Sequence, residues 1–116
     1  MSKQQLLEDL TAAKALIENP ENWIQDELSQ DSEGRKVAVT DTNATCFCSM
    51  GAFVHYLHGK PQAHERDLPV VAALDEASVK VSGDADMNIV TFNDTHSHAE
   101  VMAVWNNAIF TAKEQA

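Results

Sequence analysis

The stretch SHAEVMAVWNNAIFTA, residues 97–112, decides the class of fold because its apolar side chains recur at the spacing of an α-helix. Ser97 stands three residues before Glu100, which is the pattern of a capping box at a helix start. The apolar stripe consists of Val101, Trp105, Ala108 and Ala112. The stretch therefore predicts a helix that begins directly after Ser97 and turns this stripe towards a core.

Three further segments carry helical patterns. Residues 3–18 and 44–58 repeat apolar side chains at intervals of three and four, and residues 68–77 form a shorter apolar segment. Residues 78–92 fit either a β-hairpin or a broken helix. We therefore predict a mainly α fold, a single domain over residues 1–116 with about four helices, and one short β-hairpin stays open as an alternative.

The charge of the chain is strongly negative. It has 8 Lys and Arg against 18 Asp and Glu, a formal net charge of −10. Because nucleic acids and anionic membranes are bound through clustered Lys and Arg, this balance disfavours both as partners. It suits a solvated surface, and it also suits a basic protein partner. The sequence does not determine the oligomeric state.

The two cysteines, Cys46 and Cys48, are separated by one residue. A disulfide between such close neighbours is strained, so they are predicted to be free thiols in a reducing compartment. The N-terminal residues show no apolar signal core, and no apolar run reaches the roughly 18 residues that span a bilayer. We therefore expect a cytoplasmic protein.

Cys48 is the candidate nucleophile. It lies near the predicted start of the helix over 44–58, and the positive end of a helix dipole favours a thiolate. His98 is the candidate base, and Asp94 is the candidate for orienting it. The simpler interpretation is that both cysteines are small buried side chains, which is the usual place of a free Cys, and we favour it.

The histidines suggest a second kind of site, in which a metal is bound. His55 and His58 are three residues apart, and His96 and His98 are two apart. Zinc does bind mixtures of His, Cys and carboxylate. However, the chain contains neither Cys-x-x-Cys nor His-Glu-x-x-His, so we expect ordinary surface or capping histidines, no metal and no cofactor.

The run NDTHSH, residues 93–98, places six polar side chains in a row before the last predicted helix. Such a run can line a binding site at a helix N-terminus, and it can equally cap the free N–H groups of that helix. The cap is the simpler interpretation. The candidate binding residues are Asn93, Asp94, His96 and His98.

Two short motifs carry a resemblance to a known family. They are CSMGA at residues 48–52, and FND at 92–94 followed by HAEV at 98–101. The chain resembles a family of small uncharacterised proteins of bacteria and their phages, with a Cys-x-x-Gly-Ala helix and a Trp-Asn-Asp loop opening a Glu-Val helix. Phe92 takes the place of the Trp. The resemblance covers nearly the whole chain; it implies a helical fold and no activity, because that family is a domain of unknown function.

The sequence thus favours a non-catalytic accessory or interaction domain, with another protein as its partner. Two alternatives stay open. One is a cysteine-dependent hydrolase that uses Cys48 and His98, and the other is a His/Cys metal-binding protein.

We predict that the protein does not bind duplex DNA at physiological salt. A net charge of −10 repels phosphates at long range. A filter-binding assay checks this, and salt-sensitive binding with a dissociation constant of about 10⁻⁶ M or below would contradict it.

Overall fold

The computed structural model describes residues 2–115, and its elements are mainly helical. A 3₁₀ helix, Pro20–Asn22, follows the first α-helix, and two short strands precede the second. The α-helices are α1 (Lys3–Ala15), α2 (Ser49–Leu57), α3 (Ala63–Ser82), α4 (Ile89–Thr95) and α5 (His98–Glu114), and the strands are β1 (Ser29–Gln30) and β2 (Cys46–Phe47). The predicted mainly α fold with a short hairpin is confirmed.

Helix α5 forms the centre of the core and packs against α1 and α3. Its stripe is buried as predicted, and Trp105 is the largest fully buried side chain. Leu10 and Ile17 of the first segment meet the same core, as does Phe53 of α2. A single apolar cluster therefore holds all five helices.

The predicted helix over residues 44–58 was wrong at its start. Cys46 and Phe47 are extended, and they pair antiparallel with Gln30 and Ser29. The backbone N–H of Cys48 donates to the carbonyl of Leu28 at 3.3 Å. Helix α2 therefore begins only at Ser49, because the backbone before it is used in pairing with a distant segment of the chain.

The hairpin is formed by β1 and β2, and it does not lie in residues 78–92. Helix α3 extends through Ser82 and ends at Gly83, whose φ of 74° is the left-handed conformation that glycine favours at a helix end. Asn88 then caps α4 by accepting from the N–H of Thr91 at 2.9 Å. Most of the ambiguous stretch is thus helical, and residues 2–115 form five α-helices where the sequence predicted about four.

Helix α3 also begins earlier than predicted, at Ala63, and Pro69 lies inside it. Arg66 in the first turns is buried and forms a two-point ion pair with the buried Asp9 of α1. Its Nη2 and Nε donate to the two carboxylate oxygens of Asp9 at 2.6 and 3.0 Å. Because an unpaired buried charge is costly, this pair attaches the beginning of α3 to α1.

None of the described helices combines the length and the apolar character needed to cross a bilayer.

Gly51 marks a close approach between α2 and the chain before β1. A Cβ placed on Gly51 would lie 1.9 Å from the carbonyl oxygen of Leu28. No side chain fits there unless the backbone moves. This contact brings residues 26–28 against the start of α2 and so shapes the surface beside Cys48.

We predict that Gly51→Ala destabilises the protein by more than about 3 kcal/mol, because the methyl group overlaps backbone atoms. At an open helical site the same change would stabilise by about 1 kcal/mol. Gly59→Ala is the control: φ at Gly59 is 78° with open space around it, so it should cost only about 1–2 kcal/mol. Urea unfolding measures both, and a stabilised Gly51→Ala variant would refute the close approach.

Candidate functional site

The side-chain amide of Asn93 is the centre of a buried polar cluster. Its Oδ1 accepts from the indole Nε1 of Trp23 at 2.8 Å. It also accepts from Oγ and from the backbone N of Ser49, at 2.8 and 3.0 Å. Ser49 Oγ in turn accepts from Nε1 of Trp105 at 3.0 Å. One amide oxygen thus connects α4 with the first turn of α2 and with both tryptophans.

The amide nitrogen of Asn93 is engaged as well. Nδ2 donates to the carbonyl of Ile24 and to Oδ1 of Asp94, both at 3.1 Å. The backbone carbonyl of Asn93 accepts from Nε2 of Gln25 at 3.2 Å. Asn93 is 1% exposed and its donors and acceptors are used within the fold, so the geometry assigns it a structural role.

Asn93 and Asp94 belong to α4, whereas the resemblance implied that they lie in a loop before the last helix. Asp94 Oδ1 accepts from the backbone N of Asp26 at 2.9 Å. Asp26 has a φ of 69°, which is strained for a residue with a side chain. The hydrogen bond that Asp94 accepts from Asp26 helps to hold the positive φ of Asp26. Asp94 therefore positions the segment around residue 26 and does not cap α5.

Ser97 is the cap of α5, as predicted. Its Oγ accepts from the N–H of Glu100, and the Glu100 carboxylate accepts from the N–H of Ser97 at 3.0 Å. The bond from this backbone N–H lowers the pKa of Glu100. The capping box read from the sequence is confirmed.

Cys48 is the N-cap of α2, and its sulfur accepts from the N–H of Gly51 at 3.3 Å. Cys48 as a residue is 8% exposed and so is buried. Burial raises its pKa, and the negative charge of Asp94 adds to the increase. We expected the N-terminus of α2 to stabilise the thiolate form of Cys48. Its effect on the pKa is smaller than the opposing effect of removing the thiolate from water.

His98 is engaged by other groups. Its Nε2 is 2.8 Å from the carbonyl oxygen of Ile17, and its ring meets Trp23 edge to face with centroids 5.5 Å apart. Hydrogen bonds to Cys48 in the described chain come from backbone N–H, and no histidine takes part. Within residues 2–115, the side chains of the candidate pair, Cys48 and His98, thus form hydrogen bonds to other groups and not to each other.

Two of the other histidines also have local partners. Nδ1 of His96 is 3.0 Å from the carbonyl of Phe92, and the two rings stack at 3.7 Å. Nδ1 of His55 is 2.7 Å from the carbonyl of Val39. His58 lines a pocket beside α3. Within residues 2–115, no group of three or more His, Cys, Asp or Glu side chains is placed to hold a metal ion.

Two of the predicted residues, Cys48 and Asp94, do share a pocket of about 210 Å³. Sequence reasoning missed the residues that complete it. Asp26 to Leu28 come from a polar stretch that carries no motif, and Val90 comes from the ambiguous stretch 78–92. The pocket is lined by Asp26, Glu27, Leu28, Cys48, Met50, Val90 and Asp94, and we call it the Cys48 groove.

The comparison with protein families gives one result. The model of a family of unknown function, DUF6197, matches residues 1–111. The chain belongs to this family. No curated protein and no solved structure matches this chain.

In this DUF6197 member, the two segments that carry the resemblance to an uncharacterised family meet in space. Residues 48–52 contain Cys48 and Gly51, and residues 92–94 contain Asn93. The amide of Asn93 bonds Ser49 directly, and Asp94 lines the same groove as Cys48. The short motifs thus lie at the contact between α2 and α4.

We predict that Asn93→Ala destabilises the protein by about 3 kcal/mol or more, because it leaves buried N–H donors of Trp23 and Ser49 without an acceptor. Asn93→Asp should also be costly, since a carboxylate cannot donate to the carbonyl of Ile24. Asn106→Ala, at an exposed position of α5, is the control and should change stability by less than about 0.5 kcal/mol. Denaturant unfolding followed by tryptophan fluorescence measures all three, and equal stabilities would show that the cluster is not structural.

Proposed function

We propose that this DUF6197 member is a non-catalytic accessory domain that binds a basic segment of another protein. The observation that carries the proposal is that the candidate catalytic and binding side chains form hydrogen bonds to other parts of the chain. Asn93 connects segments, Cys48 caps a helix, and His98 contacts Trp23 and the carbonyl of Ile17, just after α1. Groups that are engaged and buried in this way are poor candidates for contacting a substrate.

The charge supports the choice of a basic partner. A formal net charge of −10 on 116 residues attracts cationic segments and repels anionic ones at distances up to the Debye length, about 8 Å at physiological salt. Such a field accelerates encounter with a basic partner and adds selectivity. The two free thiols are consistent with a protein that works in a reducing compartment such as the cytoplasm.

The non-catalytic part of the proposal predicts a sluggish thiol at Cys48. In a Cys46→Ser variant, alkylation by iodoacetamide should be slow at neutral pH, and its rate should still be rising at about pH 9, since burial raises the pKa of Cys48. The same variant unfolded in urea is the control and should react faster at pH 7. A folded protein that reacts faster than the unfolded control at neutral pH would support the hydrolase alternative instead.

The binding part is tested by selection from a random peptide library displayed on phage. Peptides retained by the domain should be enriched in Lys and Arg relative to the starting library, and retention should fall as salt is raised. Scrambled versions of the enriched peptides are the control for charge alone and should be retained less. Enrichment without an excess of Lys and Arg would overturn the proposed partner.

A further inference from the structure

The Cys48 groove has an apolar floor that is partly open to solvent. Leu28 is 44% exposed and Val90 is 42% exposed, and Met50, which also lines the groove, is half-buried. Within residues 2–115, five large hydrophobic side chains are exposed, and two of the five line this one pocket. Exposed apolar side chains that converge on a concavity are typical of binding surfaces, whereas single scattered ones are not.

The rim of the groove is negatively charged. Asp26, Glu27 and Asp94 line it, and no Lys, Arg or His is among its lining residues. By contrast, the pocket between α3 and α5 includes Lys80, and the pocket beside the start of α3 includes His58 and His64. The charge complementary to the Cys48 groove is therefore positive, and it would surround an apolar anchor.

The walls of the groove are held in place by backbone contacts. The carbonyl of Leu28 accepts from the N–H of Cys48, and it lies against Gly51 where no Cβ fits. On the other wall, Asp94 Oδ1 accepts from the N–H of Asp26 at 2.9 Å. A preformed groove avoids part of the entropic cost of binding.

The size of the groove indicates what it takes. At about 210 Å³ it is smaller than the roughly 300–1,000 Å³ of typical small-molecule sites. A single aliphatic side chain from a partner chain suits this volume and the apolar floor. The acidic rim then selects the residues next to that side chain.

We infer that the Cys48 groove docks a short segment of a partner protein in which one aliphatic side chain is flanked by Lys or Arg. This inference rests on the proposed function and assigns it a surface. The aliphatic side chain contacts Leu28, Met50 and Val90, and the flanking cations face the three carboxylates.

The test uses the ¹⁵N-labelled protein and the peptide acetyl-Lys-Lys-Ala-Leu-Ala-Lys-Lys-amide at about 50 mM salt, where exposed charges are weakly screened. Amide signals of residues 26–28, 48–50 and 90–94 should shift, and those of exposed α5 residues should not. A peptide with Ser in place of Leu should bind at least about fivefold more weakly, because it lacks the apolar anchor. Shifts that lie elsewhere, or equal binding of the Leu and Ser peptides, would overturn the groove.

Matched variants separate this surface from general charge. Val90→Lys should weaken binding of the Leu peptide about tenfold. Val81→Lys, at a similarly exposed position of α3, should leave that binding unchanged. The double variant Asp26→Asn, Glu27→Gln should weaken binding of the Leu peptide about fivefold more than the double variant Glu8→Gln, Glu114→Gln. The second variant changes the net charge equally but lies outside the groove. Identical unfolding midpoints for each pair exclude a folding defect.

The outcomes distinguish the two proposals. If basic peptides bind outside the groove, the inference about the groove is overturned and the proposed function stands. If the library selection fails to enrich basic peptides, the proposed function is itself overturned. Shifts of groove signals with protein concentration alone would show that a second copy of this chain occupies the groove, and that result would also overturn the inference.

Discussion

The buried amide of Asn93 is the interaction on which the arrangement of this structure depends. Asparagine offers an acceptor and a donor on one short side chain, and the fold needs both at this point. The oxygen accepts from Ser49 and Trp23, and the nitrogen donates to Ile24. An aspartate at position 93 would lack the N–H donor, and an aliphatic residue would lack both the donor and the acceptor. The contact between α2, α4 and the chain after α1 therefore requires an amide.

Two other constraints act elsewhere in the packing of the helices. Gly51 lets the carbonyl of Leu28 approach α2, and the Asp9–Arg66 pair attaches the beginning of α3 to α1. Each constraint joins segments that are distant along the chain. The Gly51 contact and the amide of Asn93 determine where residues 24–28 lie, and hence the shape of the Cys48 groove.

The same interactions explain why residue types alone were misleading about chemistry. A cysteine at a helix start and a histidine beside a carboxylate are the ingredients of a nucleophilic site. Here the cysteine is buried and caps its own helix, and the histidine contacts the carbonyl of Ile17. The acidic charge of the chain and the Cys48 groove are the features on which the proposed binding function rests.

The sequence by itself determined the features that depend on neighbours along the chain. The start of α5 and its buried stripe followed from Ser97, Glu100 and helical spacing, because a capping box and an amphipathic pattern act over one or a few turns. Only the tertiary structure decided the features that depend on distant partners. Helix α2 begins at Ser49 because the backbone before it pairs with residues 28–30, and α3 begins at Ala63 with Arg66 paired to Asp9. The site was decided in the same way: Cys48 and Asp94 share a groove and His98 lies elsewhere, because burial and long-range hydrogen bonds are properties of the packed chain and leave no periodic signal in its sequence.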